Sequence, residues 1–356
     1  MFFIYLCTQI TLYEKIMKKP FVFGVAVEEE NFVGRSEEIT VLSNNFKYGV
    51  NTILLAPRRM GKTSLVKRVA KDVQSDEIRI VHLDIFSCRN EYDFLNMFAS
   101  AVLKQTSSHF EELMQDARDF LSRIVPKVNF SPDPTQDYSL SLGITPRTHQ
   151  PEDVLNLPEQ IARKKGIHII MCIDEFQQVG EFPDSLYVQK RMRSVWQHQG
   201  NVSYCLYGSK KNMMITLFQQ RSKPFYKFGA TMELGTIPAK DWIPYLRRQF
   251  EAEGRELSES LAEKICNKVE LHSSYVQQLA FNVLVCTPAS GTATDDGLAQ
   301  AYENLLEENT TLFQDKTEDL TGYQMNFLKA ILSGIHDEFG KDDVRAENNL
   351  GSKYNI

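Results

Sequence analysis

The chain has 356 residues, 42% of them hydrophobic and 24% charged, an ordinary globular composition with room for two or three domains. The formal net charge of −6 argues against a broadly basic nucleic-acid coat, and no apolar run reaches the length needed to span a membrane. Six widely spaced cysteines (Cys7, Cys88, Cys172, Cys205, Cys266, Cys286) with no C-x-x-C, and histidines with no H-x-x-x-H pair, argue against a disulfide framework or a metal site made of side chains alone. Buried thiols in a reducing compartment fit better, so a cytoplasmic protein is expected.

Residues 1–7 are apolar, but no basic residue precedes them and no small-residue cleavage site follows, which makes a poor signal peptide. Met17 begins M-K-K-P-F-V-F-G, so residues 1–16 are expected to be a non-native or disordered extension, with translation starting at Met17. At 31–39, N-F-V-G-R-S-E-E-I runs a polar-glycine turn into an amphipathic helix (Ile39, Leu42, Phe46). Acidic residues fill its first turn, where the helix dipole favours them.

An apolar run at 53–55 ends at Ala56, and a helical pattern covers 62–73. Between them lies A-P-R-R-M-G-K-T, a strand, a phosphate-sized loop and a helix start, which resembles the Walker A P-loop with Ala56 in place of the usual first Gly. Backbone N–H groups and the positive end of the helix dipole converge there on one spot suited to an anion. Ala56, Pro57, Arg58, Arg59, Met60 and Gly61, with Lys62, Thr63 and Ser64, are the candidate cradle. Gly61 would let the backbone approach the phosphates, Lys62 would reach the β- and γ-phosphates, and the Thr63 hydroxyl would bind Mg²⁺. Arg58 and Arg59 read as cations beside a polyphosphate or as solvent-facing loop arginines, and the whole loop could be a Gly-Lys turn capping a helix.

A buried strand is expected at 78–86 and one or two helices at 92–124. Residues 127–144 read as two short strands joined at S-P-D-P, and 151–165 as a helix with Pro in its first turn. The run G-I-H-I-I-M-C-I-D-E-F-Q-Q-V at 166–179 has no alternation, which suits a central parallel strand covered on both faces. Asp174 and Glu175 stand at its carboxyl end, the edge where open α/β sheets bind ligands. They match Walker B followed by a catalytic glutamate: Asp174 would hold Mg²⁺ through water and Glu175 would orient and deprotonate the attacking water. Two carboxylates solvated at a strand end are the alternative.

A helix at 186–198 carries Lys190, Arg191 and Arg193 as a solvated face, and a further buried strand at 201–207 ends at Gly208-Ser209. In the additional-strand P-loop class such a strand lies between the two Walker strands and offers a sensor side chain to the γ-phosphate. Ser209 is the positional candidate, or a loop serine. After a Met/Leu/Phe-striped helix at 210–220 comes R-S-K-P-F-Y-K-F-G. The segment resembles the P-L-Y-G-R-like stretch of prokaryotic STAND-like ATPases, and the resemblance implies an arginine acting on nucleotide. Here Lys227 offers a point charge instead of a fork, and Arg221 is a substitute. The last strand is expected at 230–234.

From Pro238 the pattern is helical: 239–253, 258–269, 274–285 and 296–308. Y-V-Q-Q-L at 275–279 resembles the helix of an AAA+/STAND lid that closes on nucleotide, with Tyr275 its candidate contact. In the tail, helices at 323–332 and 341–347 and a third beginning at 350–352 resemble a winged helix cut short, or an ordinary amphipathic tail.

Together F-V-G-R, A-P-R-R-M-G-K-T, I-I-M-C-I-D-E-F and Y-V-Q-Q-L resemble prokaryotic STAND/AAA+-like P-loop ATPases of the archaeal-ATPase type over 21–308. The resemblance implies an α/β three-layer sandwich of the additional-strand, catalytic-Glu class at 17–236, a helical lid at 237–312 and a partial winged-helix-like segment at 318–356. It implies ATP and Mg²⁺ as ligands, and Phe32, Val33, Gly34 and Arg35 over the adenine. Hydrolysis driving a conformational or assembly switch is the first expectation. The second is a nucleotide-gated scaffold with little hydrolysis, linked to DNA or a protein partner through the C-terminal region. Self-association fits both, and a membrane neither.

Overall fold

The computed structural model describes residues 19–27, 29–107, 112, 115–116, 129–133, 136–141, 151–318, 320–337 and 339–351. The expected extension at 1–16, the Met17 start, most of the helical stretch at 108–124 and the body of the third tail helix lie outside them.

In chain order the elements are α1 (Ser36–Lys47), β1 (Thr52–Leu55), α2 (Lys62–Val73), β2 (Ile78–Asp84), α3 (Glu91–Thr106), β3 (Asn129–Asp133), β4 (Gln136–Ser141), α4 (Pro151–Leu155), α5 (Leu157–Lys165), β5 (His168–Asp174), α6 (Ser185–Trp196), β6 (Val202–Gly208), α7 (Lys211–Gln219) and β7 (Ala230–Glu233). Helices of nine to fourteen residues follow: α8 (Ala239–Ala252), α9 (Glu259–Lys268), α10 (Ser273–Cys286), α11 (Asp295–Glu308) and α12 (Thr310–Glu318), then α13 (Gly322–Leu332) and the shorter, seven-residue α14 (Asp342–Asn348).

Five strands form one sheet in the order β2-β5-β6-β1-β7, every neighbouring pair parallel. β6 therefore separates β1 from β5, the insertion that marks the additional-strand class. Register aligns Leu55 with Gly208 and Asp84 with Asp174, so four strands finish along one rim. Alternate strand residues feed two cores, because successive side chains point to opposite faces. Ile53, Leu83, Ile169, Met171, Ile173 and Leu206 pack with α3 to α7, and Leu54, Ile80, Ile170, Cys172 and Tyr207 pack with α1 and α2. A parallel sheet covered on both faces is what the unalternating 166–179 run requires. β3 and β4 pair antiparallel as a separate hairpin, Asn129 opposite Ser141.

The helices α8 to α11 share a third core that also takes in Phe21 and Val33 from the N-terminal segment. The Phe21 ring meets Tyr245 and Phe250 edge-on, at 6.2 and 6.0 Å. α13 and α14 pack as a pair, with the Phe327 and Phe339 rings 4.5 Å apart and Asn326 donating to the Asn349 carbonyl. A helix pair alone does not define a winged helix. No helix among the described residues is long and apolar enough to cross a membrane, and the five described cysteines are free thiols.

Some elements differ from expectation. The helix at 151–165 is two helices, since Pro158 at the start of α5 lacks the N–H that would continue the ladder. The central strand ends at Asp174 as expected, where Glu175 takes left-handed backbone (φ 54°) and starts a 3-10 turn, Phe176–Glu181. α12 was not expected; none of its residues is buried, so its sequence carries no apolar stripe.

Candidate functional site

β1 delivers the chain to the rim at Ala56, and the loop 56–61 turns it into α2. Arg59 (φ 61°) and Gly61 (φ 86°) both take left-handed backbone. A Cβ on Gly61 would meet nothing within 4 Å, so the dihedral rather than space asks for glycine there. No side chain caps α2, which leaves its first-turn N–H groups for an anion.

Lys62 is only 6% exposed, and its ammonium donates to the carbonyls of Ala56 (3.1 Å) and Pro57 (2.8 Å). Burial pushes its pKa down, while the Asp174 and Glu175 carboxylates pull it back up and Arg58 lowers it. Thr63 Oγ1 donates to Asp174 Oδ2 at 2.7 Å, across 111 residues of sequence, and the Glu175 N–H donates to Asp174 Oδ1 at 2.8 Å. Burial lifts the Asp174 carboxyl from 3.8 to about 6 against those two bonds, and the charges of Glu175 and Asp84 add to the lift. The rim thus holds a desolvated ammonium and a desolvated carboxylate that are only partly compensated. A phosphate on Lys62 and a divalent cation on Thr63 and Asp174 would satisfy both, so the residues fit Mg²⁺ with a phosphate ester.

Neither a family model nor a curated protein sequence matches the chain. Solved structures do. A Walker-type ATPase of Pyrococcus abyssi superposes with a TM-score of 0.61 at 15% identity, over 93% of this chain and 92% of that one. The ORC2 protein of Aeropyrum pernix, solved as ADPNP–ADP complexes, gives 0.59 at 15% identity, over 95% and 85%. Its ADP form gives 0.53 at 16% identity, over 92% and 84%. The fold is that of a P-loop NTPase. At these identities the likeness speaks for architecture, and the chemistry rests on the residues.

Beside the P-loop lies a cleft of about 490 Å³, lined from one side by Arg58 to Ser64, Asp174, Glu175 and Ser209. Phe32, Val33 and Arg35 line it too, but Gly34 does not: a Cβ there would collide with Asp241 and Ile237. The Arg35 guanidinium is committed elsewhere, to Glu38 (2.7 Å) and the carbonyls of Met60 (3.1 Å) and Gly235 (2.8 Å). It braces the P-loop through the Met60 carbonyl while still lining the cleft. Ala56 and Pro57 serve through the carbonyls that hold Lys62.

Ser209 stands at the rim, but its hydroxyl donates to Glu175 Oε2 at 2.8 Å and accepts from Arg58 Nε at 3.2 Å. Arg221 and Lys227 do not line the cleft. Lys227 has left-handed backbone (φ 54°) and its ammonium sits over the Tyr226 ring, so neither cation reaches this chain's own site. Tyr275 is also outside the lining, its ring 4.6 Å from that of His272. α10 offers Ser273, Ser274 and Gln277 instead.

Three contributors had no sequence signal. Asp84 enters the site only because β2 and β5 are in register. Trp242 comes from α8. The stretch from Val22 to Val27 forms a wall and is tied down where the Val27 N–H donates to Ser64 Oγ at 3.0 Å.

Proposed function

We propose that this protein is a Mg²⁺-dependent ATPase of the STAND/AAA+-like, archaeal-ATPase type, whose hydrolysis of ATP to ADP and phosphate drives a conformational or assembly switch. Residues 17–236 are its catalytic domain, 237–312 its lid and 318–356 a partial winged-helix-like segment. One observation carries the reading: Lys62, Thr63, Asp174 and Glu175 meet at one rim of a parallel sheet, with Thr63 and Asp174 in direct contact.

In that reaction the water oxygen bonds to the γ-phosphorus as the bond to the bridging oxygen breaks, and the electron pair leaves with ADP. Glu175 takes the water proton and passes it to solvent. Lys62 places its ammonium where charge builds on the transferred group. Thr63 and Asp174 would hold Mg²⁺, which when bound supplies charge neutralisation to the phosphate oxygens. The lid closes the cleft with Ser273, Ser274 and Gln277, and the Val22–Val27 wall and Phe32 enclose the base. The cleft's position between sheet rim and helical lid makes lid angle a natural readout of the bound nucleotide.

The tail's charge gives DNA binding little support. From Leu320 to Gly351 the tail has three basic residues (Lys329, Lys341, Arg345) against five acidic ones (Asp337, Glu338, Asp342, Asp343, Glu347), a net acidic stretch that does not favour a phosphate backbone.

The test is ATP turnover with Mg²⁺ for the wild type and Glu175→Gln. Turnover should fall by about 10²- to 10⁴-fold with ATP binding retained. Equal rates would remove hydrolysis from the function and leave a nucleotide-gated scaffold.

A further inference from the structure

Only one oxygen of the Glu175 carboxylate is engaged. Oε2 accepts from Ser209 Oγ at 2.8 Å, from the Ser209 N–H at 3.4 Å and from Gln177 Nε2. Among the described residues Oε1 has no such partner.

Gln177 is the unexpected donor. It sits two residues past Glu175 in the 3-10 turn, 1% exposed. Its own Oε1 is buried with no hydrogen-bond partner. That oxygen lies against Gly208 at the end of β6, where a Cβ would collide with it. The amide cannot be turned round, because its oxygen would then face Glu175 Oε2, two acceptors with no proton between them. A buried, unpaired carbonyl oxygen destabilises a fold, and an apolar side chain of the same shape would not carry that cost. Packing therefore does not account for a glutamine at 177; the bond to Glu175 does.

We propose that Gln177 is a positioning residue for Glu175: with Ser209 it clamps Oε2 and leaves Oε1 as the acceptor for the proton of the attacking water. Gly208 provides the socket that lets the amide reach the carboxylate. The inference deepens the ATPase reading and rests on Glu175 as the base.

Gln177→Met keeps the side chain's length and removes both amide atoms. Turnover, ATP affinity and Tm are measured for this variant, for Gln177→Ala, for Glu175→Gln and for the Glu175→Gln/Gln177→Met double variant. Both Gln177 variants should lose about 10- to 100-fold in kcat with ATP affinity within about twofold, as expected when a base is misplaced rather than removed. Gln177→Met should melt no lower than the wild type. The double variant should turn over no more slowly than Glu175→Gln alone, because residues acting through one another are non-additive. Wild-type kcat in Gln177→Met, or a further loss in the double variant, overturns the clamp and leaves the ATPase reading intact. Wild-type turnover in Glu175→Gln overturns both.

Discussion

Replacing Asp174 with asparagine should stabilise the protein in the absence of nucleotide and metal. The carboxyl's pKa stands at about 6 in the folded chain against 3.8 ordinarily, with burial as the main cause. A rise of about two units corresponds to about 3 kcal/mol of destabilisation once the group is ionised in both states. The folded state binds more protons than the unfolded one between those two values, so this contribution is absent below about pH 4, grows as pH rises and is complete above about pH 6. Asparagine can accept from the Glu175 N–H with its oxygen and donate its amide to the Thr63 hydroxyl, and it carries no charge beside Glu175 and Asp84. Chemical denaturation of both proteins without Mg²⁺ should show Asp174→Asn more stable by about 3 kcal/mol at pH 7.5 and by about half of that at pH 5. The same variant should lose the stabilisation that Mg·ATP gives the wild type. Equal stability at pH 7.5, or a less stable variant, would refute the argument and mean that the Thr63 and Glu175 N–H bonds already compensate the carboxylate.

Arg35→Ala should lower stability by about 1–3 kcal/mol, since it strands the buried carbonyl of Met60 and loses the bond to the Gly235 carbonyl, and a denaturation midpoint reads this directly. Tyr275→Ala should leave ATP affinity within about twofold, whereas Gln277→Ala should weaken it several-fold, because only Gln277 faces the cleft; a fluorescent ATP titration separates the two. The double variant Arg221→Ala/Lys227→Ala should bind ATP as the wild type does, and weaker binding would place one of these cations on this chain's own nucleotide.

Much of the fold was legible because each element carries its own period. The uncharged run before Asp174 could only be a strand covered on two faces, and the capped amphipathic stretches could only be helices. The A-x-x-x-x-G-K-T joint and the D-E strand end announced themselves because their chemistry lies within a few consecutive residues. What escaped was chemistry made by contact between distant segments. Arg35 sits in a motif that reads as ligand-facing, yet its guanidinium is spent on carbonyls 25 and 200 residues away. Tyr275 was the most eye-catching residue of its helix, but Ser273, Ser274 and Gln277 share the face one helical turn wide that meets the cleft, and Tyr275 lies off it. Ser209 stands on the rim, where its hydroxyl bonds the Glu175 carboxylate: sequence gives a strand end but not which neighbouring carboxylate a hydroxyl meets. Asp84 depends wholly on strand register, which no single-strand pattern encodes.

The central claim is that a nucleotide's phosphates are held by Lys62 at the rim where Thr63 and Asp174 meet. Calorimetric titration of Mg·ATP into the wild type and into Lys62→Ala tests it most directly. The wild type should bind one equivalent and the variant should bind at least about 100-fold more weakly, a loss of about 2.7 kcal/mol or more. Equal affinity in the two proteins would contradict the account.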